Sequence, residues 1–371
     1  MNRRLVVSAW GVVIAGLSLY GTAPASAQGP SENVKVFATG LNNPRGLKFG
    51  PDGNLYVAEG GRGGTTSTVG QCQQVPAPIG PYTGGFTSRI SKIDSHGDRT
   101  TVIDNLPSSQ TSPAQGSLVS GVGDVAFIGD TLYALLAGAG CSHGVAHTTN
   151  GVFRVNPNGT LTLIADLSAF QRANPVTNPD LEDFEPDGTW YSMVAVRGKL
   201  YAIEPNHQEI DSIDVTTGQI RRIVDLSASH PTWFGPTTIA HHHGNFYVGN
   251  LTPFPLQQGA AEIIKVTPSG KMKTVVTGLT MVLGVAFDDE GYMYVLENTT
   301  DNPFPTPFTG KVLRVKDDDT LEEIATGLFL PTAITFGPDG ALYVSNVGFG
   351  PPPVGLGEIV RITVPPVDEE E

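Results

Sequence analysis

Short apolar strands centred on a tyrosine recur six times along the chain, at residues 55–57, 132–134, 200–202, 246–248, 293–295 and 342–344. Each one follows another short apolar stretch, twice across the turn sequence Phe-Gly-Pro-Asp-Gly. An alternating stretch comes after it, and a β-branched stretch that ends in leucine completes the copy. Alternation, β-branched residues and glycine-rich turns are typical of β-strands, and no segment of the repeats has a helical period.

Four strands in each of six copies predict an all-β six-bladed β-propeller of four-stranded blades. We name the strands of a blade A to D, from the innermost to the outermost. The chain enters the repeats on a D strand at residues 34–41, and the last copy ends near Val364 without one. We therefore expect the N-terminal strand to complete the last blade and close the ring, within a domain of residues 28–366. The alternatives are another blade number and an ordinary multi-sheet β protein.

The loops of such a domain divide between its two faces. The A–B turns lie on one face and are short. The B–C loops and D–A connections lie on the other, which we call the top face. It carries the long insertions at residues 60–88, 107–121, 136–150 and 168–189. Since binding residues concentrate on loops held by a rigid scaffold, we expect function on the top face.

Two cysteines are present, Cys72 and Cys141, in the B–C loops of blades 1 and 2. These loops lie on neighbouring blades of the same face, and a bridge would restrain two long glycine-rich segments. We predict a Cys72–Cys141 disulfide, with two free thiols as the alternative.

A polar residue follows the tyrosine by three positions in five of the six copies, and Leu136 stands there in the sixth. The five are Glu59, Glu204, Asn250, Glu297 and Asn346. One interpretation is a polar ring at the channel mouth that binds a cation or a hydroxylated ligand. The other is a set of strand-end residues that hydrogen-bond the backbone of the next loop.

The D–A connection into blade 3 is acidic and aromatic. Asp183, Glu185 and Asp187 precede Gly188, as in the first half of a calcium loop. Val194 occupies the twelfth position, which excludes an EF-hand, so the alternatives are a Ca²⁺ site of another kind and a solvated acidic loop.

Aromatic residues follow that loop and stand in the next connection. Trp190 and Tyr191, together with Trp233, would line a ligand pocket, or would pack the base of the loops instead. The three histidines at 241–243 fall in an A–B turn on the opposite face, where we expect a solvated turn rather than a metal site.

The first 27 residues have the form of a secretory signal peptide. Arg3 and Arg4 precede an apolar stretch at residues 5–19, and small residues lead to an Ala-x-Ala site that ends at Ala27. A membrane anchor is the alternative. We expect a secreted or periplasmic protein, with a short acidic tail at 367–371.

Composition narrows the partners. With 39% apolar and 16% charged residues, the chain is too apolar for a disordered protein. Its net charge of −14 argues against nucleic acid as a partner. No apolar run after residue 27 approaches the roughly 20 residues of a membrane span.

The segments 38–61 (ATGLNNPRGLKFGPDGNLYVAEGG), 88–93 and the Asn-Pro-Asp at 178–180 resemble the ScyD/ScyE family. The resemblance covers essentially the whole mature chain, and the repeat unit is also similar to NHL-type repeats. It implies export and a TolB-like six-bladed propeller, and it does not imply an established reaction.

Two enzyme classes share this architecture. Lactonases of the gluconolactonase type hold a divalent metal with Glu, Asn and Asp at the starts of inner strands, where this chain has Arg45, Thr237, Leu283 and Thr332. Quinone-dependent sugar dehydrogenases need basic residues around an anionic cofactor, for which Arg45 and Arg62 are the candidates.

We therefore expect a monomeric binding or scaffold module, without a certain cofactor, whose top face binds a small molecule, a polymer or a protein. Glu59, Glu204, Asn250, Glu297, Asn346, Trp190, Tyr191, Trp233 and Arg45 are its candidate ligand contacts. The alternative is a metal-dependent hydrolase of the lactonase or esterase kind that draws its ligands from the polar ring.

Overall fold

The computed structural model describes residues 29–300, 305–316, 320–349 and 356–367. The predicted signal peptide at 1–27 and nearly all of the acidic tail lie outside the described residues. Six small antiparallel sheets of the predicted kind form the blades of a propeller, which confirms the fold class. None of the helices in the described part of the chain is long and apolar enough to cross a bilayer.

The first strand is β1 (Val34–Leu41), and the blades follow in chain order. Blade 1 contains β2 (Pro44–Phe49), β3 (Leu55–Glu59), β4 (Thr83–Ile93) and β5 (Arg99–Gln110), with β6 (Val119–Ser120) added at its edge. Blade 2 contains β7 (Val122–Ile128), β8 (Thr131–Leu136), β9 (Gly151–Val155) and β10 (Leu161–Asp166). Blade 3 contains β11 (Ser192–Val196), β12 (Lys199–Glu204), β13 (Glu209–Asp214) and β14 (Ile220–Asp225).

The second half of the ring is more regular. Blade 4 contains β15 (Gly235–His242), β16 (Asn245–Leu251), β17 (Ala261–Val266) and β18 (Met272–Leu279). Blade 5 contains β19 (Val282–Phe287), β20 (Met293–Glu297), β21 (Gly310–Val315) and β22 (Leu321–Leu328). Blade 6 contains β23 (Ala333–Phe336), β24 (Leu342–Asn346) and β25 (Gly357–Ile362).

The N-terminal strand closes the ring, as predicted. In blade 6 the strand order is β1-β25-β24-β23, so β1 is the outermost strand. Val34 pairs with Ile362 and Val36 with Val360. The Asn33 side chain adds bonds from Nδ2 to the carbonyl oxygens of Ile324 and Thr363, at 2.9 and 3.0 Å.

Six hydrophobic clusters form a ring, one at each contact between neighbouring blades, and a small seventh cluster of Leu256, Met281 and Leu283 lies at the top face. The repeated tyrosines explain part of this arrangement, because five of them pack against a phenylalanine of the next blade. The pairs are Tyr56–Phe127, Tyr201–Phe246, Tyr247–Phe287, Tyr294–Phe336 and Tyr343–Phe49, with ring centroids 4.5–5.1 Å apart. The repeat in sequence is therefore a repeat of the contact between blades.

Two short helices interrupt the D–A connections, and sequence analysis did not predict them. They are α1 (Leu167–Ala173) and α2 (Leu226–Ser229), and each begins after an aspartate, Asp166 or Asp225, whose side chain accepts a backbone N–H of the first turn. The D strands that end in Thr-Gly-Leu are followed by no helix. Their glycines, Gly40, Gly278 and Gly327, have φ of 79°, 80° and 73°, a left-handed conformation that aspartate adopts less readily.

Blade 1 differs from its predicted boundaries. Its C strand begins at Thr83 instead of residue 89, and its D strand continues to Gln110. Pairs such as Thr83 with Gln110 and Gly84 with Ser109 extend the hairpin above the top face. Alternation at 83–88 is weak because Gly84 and Gly85 lie there, so the extension left no clear pattern.

The disulfide Cys72–Cys141 is present, with Cα atoms 6.3 Å apart, and it joins the long loops of blades 1 and 2. These loops lie at the top face, above the clusters between the blades.

Replacing both cysteines by serine should lower the free energy of unfolding by about 2–4 kcal/mol, because the bridge closes a long segment of 69 residues. Urea denaturation of the oxidised protein and of the double variant measures the difference. Equal midpoints would show that other contacts already hold the loops together.

Candidate functional site

The polar side chains at the ends of the B strands form hydrogen bonds with backbone groups of nearby segments. In three blades the side chain of the ring residue accepts the backbone N–H of the residue that directly follows the leucine at the end of a D strand. Glu59 accepts from Asn42 N at 2.6 Å, Glu297 from Thr280 N, and Asn346 from Phe329 N at 2.9 Å. Each of these residues holds the connection that leads into its own blade.

The two remaining side chains of the ring also accept hydrogen bonds from backbone N–H groups. Glu204 accepts from Thr189 N at 2.7 Å and from His207 N at 2.5 Å, and Asn250 accepts from Glu262 N at 2.8 Å. All five side chains of the ring are at most 3% exposed. The contacts support the loop-capping interpretation, and none of the five lines the large top-face cavity described below.

Glu185 of the predicted calcium loop joins three long loops. Tyr82 of the blade 1 loop donates its hydroxyl to Glu185 Oε1 at 2.5 Å, and Thr189 donates to Oε2. His143 Nε2 of the blade 2 loop lies 3.5 Å from the same Oε2. Burial raises the pKa of Glu185 to about 7, although the hydrogen bonds from Thr189 and Tyr82 oppose the shift.

Asp187 bonds to a different set of residues. Its Oδ2 accepts from Ser142 N and Ser142 Oγ, both at 2.8 Å, and its Oδ1 pairs with Arg172 Nη1 at 2.6 Å. Among the residues that the structure describes, no group of three or more His, Cys, Asp or Glu side chains is arranged to hold a metal ion. Calcium binding by Asp183, Glu185 and Asp187 stays a prediction, and it would require these hydrogen bonds to break.

Trp190 lies in the core instead of a pocket. Its indole is fully buried in the cluster between blades 2 and 3, beside Leu167 and Met193. The structure therefore supports the packing interpretation for Trp190. Its neighbour Tyr191, one position along an extended segment, faces the opposite way.

A cavity of about 370 Å³ opens on the top face, with lining residues from blade 1 and from blades 3 to 6. Its apolar wall and floor include Tyr191, Trp233, Leu251, Met281, Leu283, Phe254 and Phe349. Trp233 fits there because Gly235 has no side chain, since a Cβ on Gly235 would lie 2.2 Å from the indole. The structure thus brings together Tyr191, Trp233 and Arg45 from the predicted ligand contacts, and Asp183 and Glu185 from the predicted metal ligands.

Arg45 belongs to the wall of this cavity. It is 8% exposed, and its guanidinium donates to Tyr191 Oη at 3.0 Å and to the carbonyl oxygen of Val119 at 2.5 Å. Arg45 and Tyr191 also line the top of the central channel, where the free volume is only about 30 Å³. They separate the cavity from the channel, so a ligand would stay above them.

Asp183 gives the cavity an unusual acidic group. Burial raises the pKa of Asp183 to about 8, with further contributions from Glu185, Asp180 and Glu204. Asn206 Nδ2 donates to its Oδ2 at 2.5 Å, whereas Oδ1 is buried without a hydrogen-bond partner. The indole N–H of Trp233 is also buried without a partner. Groups of this kind at a cavity wall mark it as a candidate binding site.

A serine, a histidine and a carboxylate also come together beside the cavity. Ser109 Oγ lies 2.8 Å from His143 Nδ1, and His143 Nε2 approaches Glu185. Both Ser109 and His143 are completely buried, and His143 Nε2 lies 3.0 Å from the carbonyl oxygen of Gly188. A substrate cannot reach this hydroxyl, so the arrangement serves to hold the loops.

Sequence analysis missed several residues of the cavity. Tyr82 and Asn206 contact the acidic loop from blades 1 and 3, and Phe254 and Phe349 come from the B–C loops of blades 4 and 6. They carry no repeated pattern, because each belongs to an insertion of its own blade. The histidines at 241–243 lie at the A–B turn of the opposite face, and His242 stacks on Phe287 with centroids 4.2 Å apart.

No known family profile and no curated protein matches this sequence. Solved structures do match in fold. A gluconolactonase from Xanthomonas campestris has 12% identity and a TM-score of 0.53 over 90% of this chain and 89% of its own. An auxiliary nutrient binding protein from Bacteroides thetaiotaomicron has 10% identity and a TM-score of 0.53, over 89% and 76%.

A third match, described as a glucose dehydrogenase, has 15% identity and a TM-score of 0.51 over 90% of this chain and 99% of its own. The three matches have the same type of fold and three different descriptions. At these identities they show the propeller fold alone.

Replacing Asn346 by alanine should lower the free energy of unfolding by about 1–3 kcal/mol, because the N–H of Phe329 loses its acceptor. Urea denaturation measures this loss, with Gln258→Ala at an exposed loop position as the control. A stability unchanged from the wild type would contradict the capping role of the ring.

Replacing Asp183 by asparagine should make stability less dependent on pH. The pKa of the carboxyl is about 8 in the fold and about 3.8 in a free chain, so the folded state holds an extra proton between these values. Stability from this group is complete below pH 3.8 and is lost as the pH rises through about 8. The melting temperature of the wild type should fall more steeply over this range than that of the variant. Parallel curves would contradict the raised pKa.

Proposed function

We propose that the protein is an exported six-bladed propeller that binds a small, partly apolar organic molecule in the top-face cavity. The observation that carries the proposal is the cavity itself, about 370 Å³ in volume, with an aromatic wall and two buried polar atoms without partners. Concave sites of this size, mostly apolar with a few polar groups, are the usual places for small ligands. The proposal includes membership of the ScyD/ScyE family. The resemblance to that family implies export, and it does not imply an established reaction.

The rigidity of the cavity wall supports this role. The acidic loop is held by Glu185 to the blade 1 and blade 2 loops, and the disulfide joins those two loops to each other. A preformed site binds without the cost of ordering its loops. Tyr191 is fixed by its hydrogen bond to Arg45, and Trp233 rests against Gly235.

A metal-dependent lactonase or esterase is the second candidate. The likeness to a gluconolactonase is consistent with it, but that likeness extends to the fold alone. The carboxylates and amides that it would use for the metal hold loop backbones instead. The geometry therefore favours a binding module.

Three soluble probes of similar shape test binding: 2-phenylethanol, 2-phenylethylamine and 3-phenylpropionate. Cleavage at the predicted site would leave two tryptophans, Trp190 and Trp233, of which Trp190 is buried in the core. At least one probe should change the emission of Trp233 saturably. The Trp233→Leu variant should lose about tenfold in affinity for that probe by calorimetry, since a central aromatic contact is worth about 1–2 kcal/mol.

Phe86→Ala is the matched control, because Phe86 is a 53% exposed aromatic residue of the same face that does not line the cavity. It should bind as the wild type does. Failure of all three probes to bind, or equal affinity in the Trp233 variant, would contradict the proposed site. Turnover of lactone or ester substrates that survives in the Trp233 variant would favour the hydrolase.

A further inference from the structure

The charged residues that line the cavity are mostly acidic. Four carboxyl groups, Asp180, Glu182, Asp183 and Glu185, line it. Among the described residues of the lining, Arg45 alone is basic, and its guanidinium is turned into the wall against Tyr191 and Val119. An anionic ligand would meet four acidic groups with no cation directed toward it.

Aromatic rings line the cavity as well. Tyr191, Trp233, Phe254 and Phe349 all line the same cavity as the carboxyl groups. The face of an aromatic ring attracts a cation, and the attraction is strongest for tryptophan and in sites shielded from water. Aromatic rings together with carboxylates are the combination that suits an organic ammonium group, because the rings contact its carbon substituents and the carboxylates balance its charge.

Resting on the proposed function, we infer that the ligand of the cavity is an organic cation, an amine or a quaternary ammonium compound with an apolar body. Its charged group lies beside Asp183 and its apolar part contacts Trp233. Asp183 lines the cavity together with Asp180 and Glu182, so these carboxyl groups can balance the charge of such a ligand.

The surroundings of Asp183 also favour a cation. Its neighbours are Asp180 and Glu185 of its own loop, Glu204 of β12, Asn206 of the next turn and Tyr82 of blade 1. Three of these five are acidic and none of the five is basic, so a positive charge is accommodated here better than a negative one.

The test compares the charge of otherwise similar probes by calorimetry with the full mature protein. At pH 8, 2-phenylethylamine should bind about tenfold more tightly than 2-phenylethanol, and 3-phenylpropionate should bind least. Benzyltrimethylammonium, a cation whose charge does not titrate, should likewise bind about tenfold more tightly than 2-phenylethanol.

Asp183→Asn should remove the preference for the cation and leave the affinity for 2-phenylethanol within about twofold. Asparagine retains an oxygen for the bond from Asn206. Glu182→Gln at the exposed rim provides a second variant that breaks no buried contact, and it should weaken the cationic probes alone. Glu290→Gln, an exposed residue on the opposite face, is the control for the general charge of the protein.

Cationic probes that bind no more tightly than 2-phenylethanol would overturn the inference and leave the cavity as a site for neutral ligands. An equal effect of Glu290→Gln and Glu182→Gln would also overturn it, because the preference would then follow net charge. If no probe binds, or if the Trp233→Leu variant binds as tightly as the wild type, the proposed function fails as well. If neutral probes bind through Trp233 but cations have no advantage, only the cation inference fails.

Discussion

The structure depends on closure of a ring in which each blade buries its faces only against its neighbours. The six apolar clusters lie between blades, and none of them belongs to a single sheet. A missing contact between the last blade and the first would expose one whole cluster to water. The pairing of β1 with β25 prevents this, because it joins the two ends of the repeat in one sheet and leaves a closed set of contacts. The face that carries the cavity is rigid because this ring is closed.

The top face is held by polar contacts where the apolar clusters end. Glu59, Glu204, Glu297 and Asn346 each bind the loop that enters their blade, and Glu185 binds two further loops from the side. Burying a carboxyl group is unfavourable unless its oxygens are hydrogen-bonded, which these contacts provide. Among the described residues, Asp183, Glu209 and Asp211 each have at least one buried carboxyl oxygen without a partner, and of these three only Asp183 lines the cavity.

The fold could be predicted from the sequence because its signals recur. A tyrosine that packs against the next blade, and a leucine within or directly after the D strand, occur in every copy, so each copy supports the others. The disulfide followed from the same topology, which placed Cys72 and Cys141 on neighbouring loops. The polar ring was found as a set, but its role depends on which atoms its oxygens meet. That information lies in the backbone of the connections and not in the repeated residue.

The cavity was harder to predict because it is formed by what differs between the blades. Trp190 and Tyr191 are adjacent in sequence and have opposite environments, since successive side chains of an extended segment point to opposite sides. Asp183, Glu185 and Asp187 have the spacing of ligands to one ion, yet Asp187 bonds to Ser142 and Arg172 while Glu185 bonds to Tyr82. Their partners come from three separate insertions, and no periodicity relates them. A regular ring thus forms the scaffold, and irregular connections of several blades form the cavity, so a likeness of 10–15% identity in this fold does not identify a ligand.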